Sequence, residues 1–156
     1  VPMLEIDGHK LTQSLAIINY LDLRYANVPL IPALAAERAH VVAMAMTIAC
    51  DIHPLNNLRV LKYLTRDLGL NEVTKDRWIA TWIAQGFEAL EAMAGDGTYL
   101  GGDAPSIADC CLVPQMYNAR RFEVPLDAYP RLVEIDAACM ALDAFRNAHP
   151  DAVKPA

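Results

Sequence analysis

No stretch of the 156-residue sequence runs through about 18 apolar residues without a charge or a histidine, so no membrane-spanning helix is expected. The opening VPMLEIDG lacks the basic and apolar regions of a secretory signal. Positive charge is scarce. Thirteen Lys and Arg face 19 Asp and Glu, for a net charge of −6 and a pI of about 5.1. That balance argues against non-specific nucleic-acid binding, which needs a basic surface. It also means that an anionic ligand would need a few Arg residues to build a local positive site. Cysteine is sparse: Cys50, Cys110, Cys111 and Cys139. None has CxxC spacing, so no metal site is expected, and the adjacent Cys110 and Cys111 are poorly placed to bridge each other. They read as buried, reduced thiols of a cytoplasmic protein.

What is present is apolar and helical. Hydrophobic residues make up 54% and charged residues 21%, enough for one well-packed domain with chain to spare. Met3–Ile6 and His9–Leu11 read as strands around Asp7-Gly8, a hairpin-turn dipeptide. A helix is expected over 13–25, capped by Thr12 or Ser14, before the Pro-rich linker NVPLIP. Helices are then expected over 36–52, 56–68 and 72–94, with a break at His53-Pro54. Ser106-Ile107-Ala108-Asp109 has capping-box spacing and starts a helix to about Ala119, kinked at Pro114. Tyr129-Pro130 opens another to about Leu142, and Asp143 caps a short one over 144–148. The fold class is therefore mainly α, with a small α/β unit in front. Two strands and one helix cannot cover both faces of a sheet, so this unit is expected to be part of a larger α/β domain.

Several segments carry polar chemistry, and each has a plainer reading. Gln13-Ser14 stands at a helix N-terminus, where free N–H groups favour a carboxylate; ordinary capping explains it too. Asp51 to Arg59 places His53, Asn56, Asn57 and Arg59 at a helix break, either a ligand site or a solvated proline kink. Asn118-Ala119-Arg120-Arg121-Phe122 offers two guanidinium groups, either complementing the helix dipole or clamping a carboxylate. Trp78, Trp82 and Phe87 read as core, and His40 and His149 as surface. Val1-Pro2, before the first strand, would by itself be an ordinary trans bond.

Taken in order, these segments resemble one family along essentially the whole chain. VPMLEIDGHK followed by TQSLAIINYLD looks like the glutathione-binding half of a glutathione transferase N-domain. CDIHPLNNLRVLKYL, SIADCCLVPQMYNARRF and YPRL…FRNAHPD are similar to the zeta class, the maleylacetoacetate and maleylpyruvate isomerases. The resemblance implies the C-terminal part of an incomplete thioredoxin-like domain over 1–28, a linker over 29–35, a helical domain over 36–156, and a homodimer. It implies glutathione as cofactor, with Val1 and Pro2 pairing through backbone, Gln13 and Ser14 holding the γ-glutamyl group, and His53 and Asn57 lining the site. It implies that Arg121, with Arg120 and Arg59, faces a small anionic substrate. The implied reaction is cis–trans isomerisation of a diacid of aromatic amino acid catabolism.

The family's Ser- and Cys-rich thiol-activating motif does not occur in these residues. Catalytic residues are therefore expected outside this chain, and the 156 residues alone are expected to be impaired. Two other readings remain at this stage. One is a non-catalytic assembly module, which glutathione affinity would exclude. The other is a related enzyme acting on maleylpyruvate or small halogenated acids.

Overall fold

A computed structural model describes residues 2–153, so Val1 lies outside the described residues. Strands β1 (Met3–Ile6) and β2 (His9–Thr12) pair antiparallel, Met3 opposite Thr12 and Ile6 opposite His9. Asp7 and Gly8 turn between them at φ 51° and 76°. Both lie in the left-handed region, as a type I′ turn requires. Among the described residues this hairpin is the whole sheet, and none of its residues is fully buried.

Helix α1 (Ser14–Tyr25) follows. Neither Thr12 nor Ser14 caps it: Gln13 occupies the cap position, with no side-chain cap bond. The first turn therefore keeps free N–H groups. Tyr20 and Tyr25 donate to the Asp7 carboxylate, tying α1 to the hairpin turn. Those bonds, Tyr25 foremost, hold the Asp7 carboxyl below its ordinary value. Asp22 accepts the Leu30 N–H at 2.6 Å and so anchors the linker.

The core lies among α2 (Ala35–Met46), α4 (Glu72–Met93), α5 (Ile107–Arg121) and α6 (Pro130–Met140). Met44, Ile79, Ile83, Phe87, Leu112, Met116 and Leu132 are wholly buried there. Helix α5 packs against both α2 and α6. Its start is the expected capping box: Ser106 accepts from Ala108, while Asp109 accepts from the Ser106 N–H at 2.8 Å and hydroxyl at 2.7 Å. Asp109 also takes the Leu100 N–H at 2.8 Å, closing the preceding loop onto the helix. The helix runs on through Pro114. Helix α6 has Pro130 in its first turn, as expected, but its cap comes from α4. Glu91 accepts the N–H groups of Arg131 at 2.9 Å and Leu132 at 3.1 Å.

Six further local expectations need correction. Residues 36–52 are not one α-helix: after α2 the chain widens into a π-helix over Thr47–Ile52, and His53 donates to the Ile48 carbonyl five residues back at 2.9 Å. Residues 56–68 likewise split into α3 (Leu58–Lys62) and a π-helix over Tyr63–Asp67. Asp143 does not cap α7 (Asp143–Ala148); it is the first helical residue and pairs with Arg146. His149 is half-buried and meets Tyr117 edge-on at 5.3 Å, and Cys50 is exposed. The aromatic stripe of α4 divides. Phe87 is core, whereas Trp78 and Trp82 are half-buried and pack edge-to-face at 5.5 Å.

Candidate functional site

The π-helix delivers the first wall of the site. Ile52, its last residue, is wholly buried against Gly86 of α4, where a methyl group would come within 2.3 Å of the Ile52 side chain. Only glycine permits that approach. Just beyond Ile52 the chain turns through His53, Pro54, Leu55 and Asn56 into α3. Trp78 donates its indole N–H to the Leu55 carbonyl at 3.0 Å, pinning the turn to α4. Asn57 caps α3, accepting the Arg59 N–H at 3.1 Å, which leaves its side-chain N–H groups available.

The turn, the start of α1 and one face of α5 enclose a cleft of about 540 Å³. Its polar lining is Ser14, His53, Asn56, Asn57, Gln115 and Arg121, with Asn118 beside them. Ser14 comes from the uncapped first turn of α1. Gln13, just before it, is exposed and held at φ 70°, a costly conformation for a residue with a Cβ. Gln115, Asn118 and Arg121 recur at i+3 along α5, and all three reach the cleft.

The structure thus brings together Ser14, His53, Asn57 and Arg121 of the residues singled out in the sequence. Pro2, Gln13, Arg59 and Arg120 do not line this cleft. Arg120 is engaged elsewhere, 2.7 Å from the buried Asp136 carboxylate. Arg59 is exposed on α3. Arg121, next in sequence to Arg120, makes no ion pair among the described residues; its guanidinium lies 5.6 Å from the Phe122 ring centre. It is the positive charge of the cleft. Asn56, named with the helix break but given no role, also lines the cleft, whereas Gln115, within LVPQM, was not singled out in the sequence. The available signal for Gln115 was an amide inside an otherwise apolar helical stretch.

Cys110 and Cys111 also line the cleft. Burial, with the Asp109 charge assisting, pushes the Cys110 thiol up to about 11. Burial likewise pushes Cys111 up to about 12. Near neutral pH both are protonated and poor nucleophiles. With unfolded values near 9, the folded chain holds these protons longer than the unfolded chain. Their contribution to stability is therefore constant below pH 9 and is lost as pH rises toward 11–12. In thiol titration with a disulfide reagent at pH 7.5, Cys50 is expected to react at once, the half-buried Cys110 and Cys111 slowly, and the buried Cys139 only on unfolding. A second fast thiol would contradict the burial described. A second cavity, about 620 Å³, shares Cys110, Pro114 and Tyr117 with the cleft, but its other walls are chiefly apolar, with Val28, Leu30, Val113 and Phe145 among them. It lacks the convergent donors of a site for a charged ligand.

A helix N-terminus with free N–H groups, a serine on it, amide side chains and one unpaired guanidinium make a receptor for an anionic, peptide-like ligand. Joined to a hairpin-helix unit and a helical domain, that is the arrangement of a glutathione transferase. Comparison with known proteins agrees. Residues 1–23 match the glutathione S-transferase N-terminal domain family and residues 73–138 its C-terminal domain family. The chain is 47% identical to maleylpyruvate isomerase of a Ralstonia species, over 97% of this chain and 74% of that protein. It superposes with a TM-score of 0.95 on a holo maleylpyruvate isomerase described as a bacterial zeta-class glutathione S-transferase, at 46% identity over 99% of this chain and 74% of that one. It also superposes on maleylacetoacetate isomerase of Anaeromyxobacter dehalogenans 2CP-1, bound to dicarboxyethyl glutathione and citrate. There the TM-score is 0.89 and identity 41%, over 98% of this chain and 70% of that one. The chain belongs to the zeta-class glutathione transferases, in the maleylacetoacetate and maleylpyruvate isomerase family.

Proposed function

We propose that this protein is a glutathione-dependent cis–trans isomerase of maleylacetoacetate-type diacids. The observation that carries the reading is the cleft itself, which joins an uncapped helix N-terminus to an unpaired arginine. A cleft of about 540 Å³ is within the usual range for small ligands, and its donors suit a tripeptide with free carboxylates. When bound, glutathione supplies the sulfur nucleophile that adds reversibly to the conjugated alkene.

This chain's residues bind and orient. The first-turn N–H groups of α1 and the Ser14 hydroxyl receive the γ-glutamyl carboxylate, with Gln13 just before them; backbone pairing of Val1 and Pro2 with the peptide belongs to the same proposal. His53 and Asn57 hold the tripeptide from the turn before α3. Arg121 fixes a substrate carboxylate through paired hydrogen bonds, placing one alkene carbon for attack. Arg120 is held by Asp136 and Arg59 stands outside the cleft, so Arg121 carries the clamp. An assembly module would leave these polar groups without a use.

The domain division that fits is a glutathione-binding part over 1–28, a linker over 29–35 and a helical part over 36–156. We place the protein in the cytoplasm as a homodimer. Among the described residues no helix is long and apolar enough to cross a membrane, and Met46, Tyr63 and Val73 are large apolar side chains left exposed. The test is calorimetric titration with glutathione, followed by a glutathione-dependent isomerisation assay on maleylacetoacetate and maleylpyruvate, with light scattering on the same preparation. Saturable glutathione binding is expected, with trans product formed at an impaired rate by these 156 residues, which lack the family's thiol-activating motif. No glutathione binding would overturn the reading.

A further inference from the structure

Among the described residues, three side-chain atoms in the cleft lack partners. Both amide atoms of Asn56 and the Nε2 of Gln115 are buried without a hydrogen bond. Gln115 is only 4% exposed. A buried amide left unpaired costs folding free energy, so such groups are rare unless something else satisfies them. These two come from different elements, the turn before α3 and the middle of α5, yet line the same cleft. The turn that holds Asn56 is pinned by Trp78, and Gln115 is fixed within α5. Neither position is a loose surface defect.

We infer that Gln115, with Asn56 assisting, is a donor site for the carbonyl or carboxylate oxygen conjugated to the substrate's alkene. The assignment rests on the isomerase reading above. Gln115 stands six residues before Arg121 on α5, about 9 Å along the helix axis, and both line the cleft. An extended arginine reaching back leaves a gap of a few carbons, the span of a short diacid. Arg121 then takes one carboxylate and the neutral amide takes the oxygen conjugated to the double bond. Addition at the alkene makes one C–S bond and moves the alkene electron pair toward that oxygen. Reversal breaks the C–S bond and returns the pair after rotation about the C–C bond. No proton, oxidant or further reactant is needed. A fixed N–H donor at that oxygen meets charge where it develops.

The experiment compares two probes, glutathione and S-dicarboxyethyl glutathione, by calorimetry on the protein and on Gln115→Met, Gln115→Glu and Asn56→Leu, together with the ligand-free melting temperature. Gln115→Met keeps volume and removes the amide. It is expected to leave glutathione affinity within about twofold and to weaken the adduct about 10- to 100-fold. It is also expected to raise the ligand-free melting temperature by about 2–4 °C, because an unsatisfied group is gone. Gln115→Glu sets a carboxylate against the ligand's and weakens the adduct further. Asn56→Leu changes the adduct in the same direction by less. A glutamine kept for structure would instead lower the melting temperature when replaced. Equal losses for both probes, or unchanged adduct affinity, overturn the assignment while the isomerase reading stands. Failure of the unmodified protein to bind glutathione overturns both.

Discussion

Replacing Asp109 by alanine is expected to destabilise the protein by about 3–5 kcal/mol, the largest loss expected for any single side chain described here. Asp109 is wholly buried and accepts from the Leu100 N–H, the Ser106 N–H and the Ser106 hydroxyl. Alanine strands these three donors, and the Cys139 thiol that also donates to Asp109 at 3.7 Å, where water does not reach, at about 1–3 kcal/mol for each N–H or O–H left unpaired. The loss also frees the first turn of α5, the helix that packs on both α2 and α6. A chain of this size loses about 2–4 °C of melting temperature per kcal/mol, so a fall on the order of 10 °C is expected. Asp109→Asn keeps the shape and one acceptor oxygen and should lose less. Urea unfolding of both variants checks the ranking. A loss under about 1 kcal/mol for alanine would mean that water replaces the carboxylate, contrary to the burial described.

That capping box was legible in the sequence because its chemistry is local: Ser106 and Asp109 are three residues apart, and the bonds follow from that spacing. The hairpin turn was legible for the same reason, since Asp7-Gly8 tolerates positive φ at both positions. What was not legible depends on partners distant in sequence. Glu91 caps α6 across some 40 residues, so no local pattern announces it. The π-helices escaped because six residues of apolar spacing cannot separate i→i−4 from i→i−5 bonding. Their form depends on close approaches such as Ile52 on Gly86. Gln13 escaped as a cap because its backbone, at φ 70°, departs from what its residue type suggests.

The cleft was half legible. Polar groups at a helix break and at a helix start attract attention in any sequence, and Ser14, His53 and Asn57 do meet in one cleft. The two arginines could not be ranked from sequence, because adjacent residues on a helix point about 100° apart and only packing shows which way each faces. Packing sends Arg120 to Asp136 on α6 and leaves Arg121 over the cleft. Gln115 was invisible as a site residue for a related reason. Its distinction is an absence of partners, which appears only once every neighbour is in place.

The same geometry makes the neighbouring arginines separable by experiment. Arg121→Met is expected to lower kcat/KM for glutathione-dependent isomerisation by about 10²–10³-fold, with stability nearly unchanged. Among the described residues the guanidinium has no carboxylate partner to lose, while a bound carboxylate would lose two charge-assisted bonds and its positioning. Arg121→Lys keeps the charge but not the fork, so partial rescue is expected. Arg120→Met should show the reverse pattern. It leaves the buried Asp136 carboxylate unpaired and costs on the order of 1–3 kcal/mol of stability, discounted because Arg120 is itself half exposed. Its kcat/KM should stay within about threefold, since Asp136 and not the cleft holds the side chain. Affinity for S-dicarboxyethyl glutathione should follow kcat/KM in both variants and weaken only for Arg121. If Arg120→Met loses the ligand and Arg121→Met loses only stability, the clamp belongs to the other arginine and α5 must turn in solution to present it.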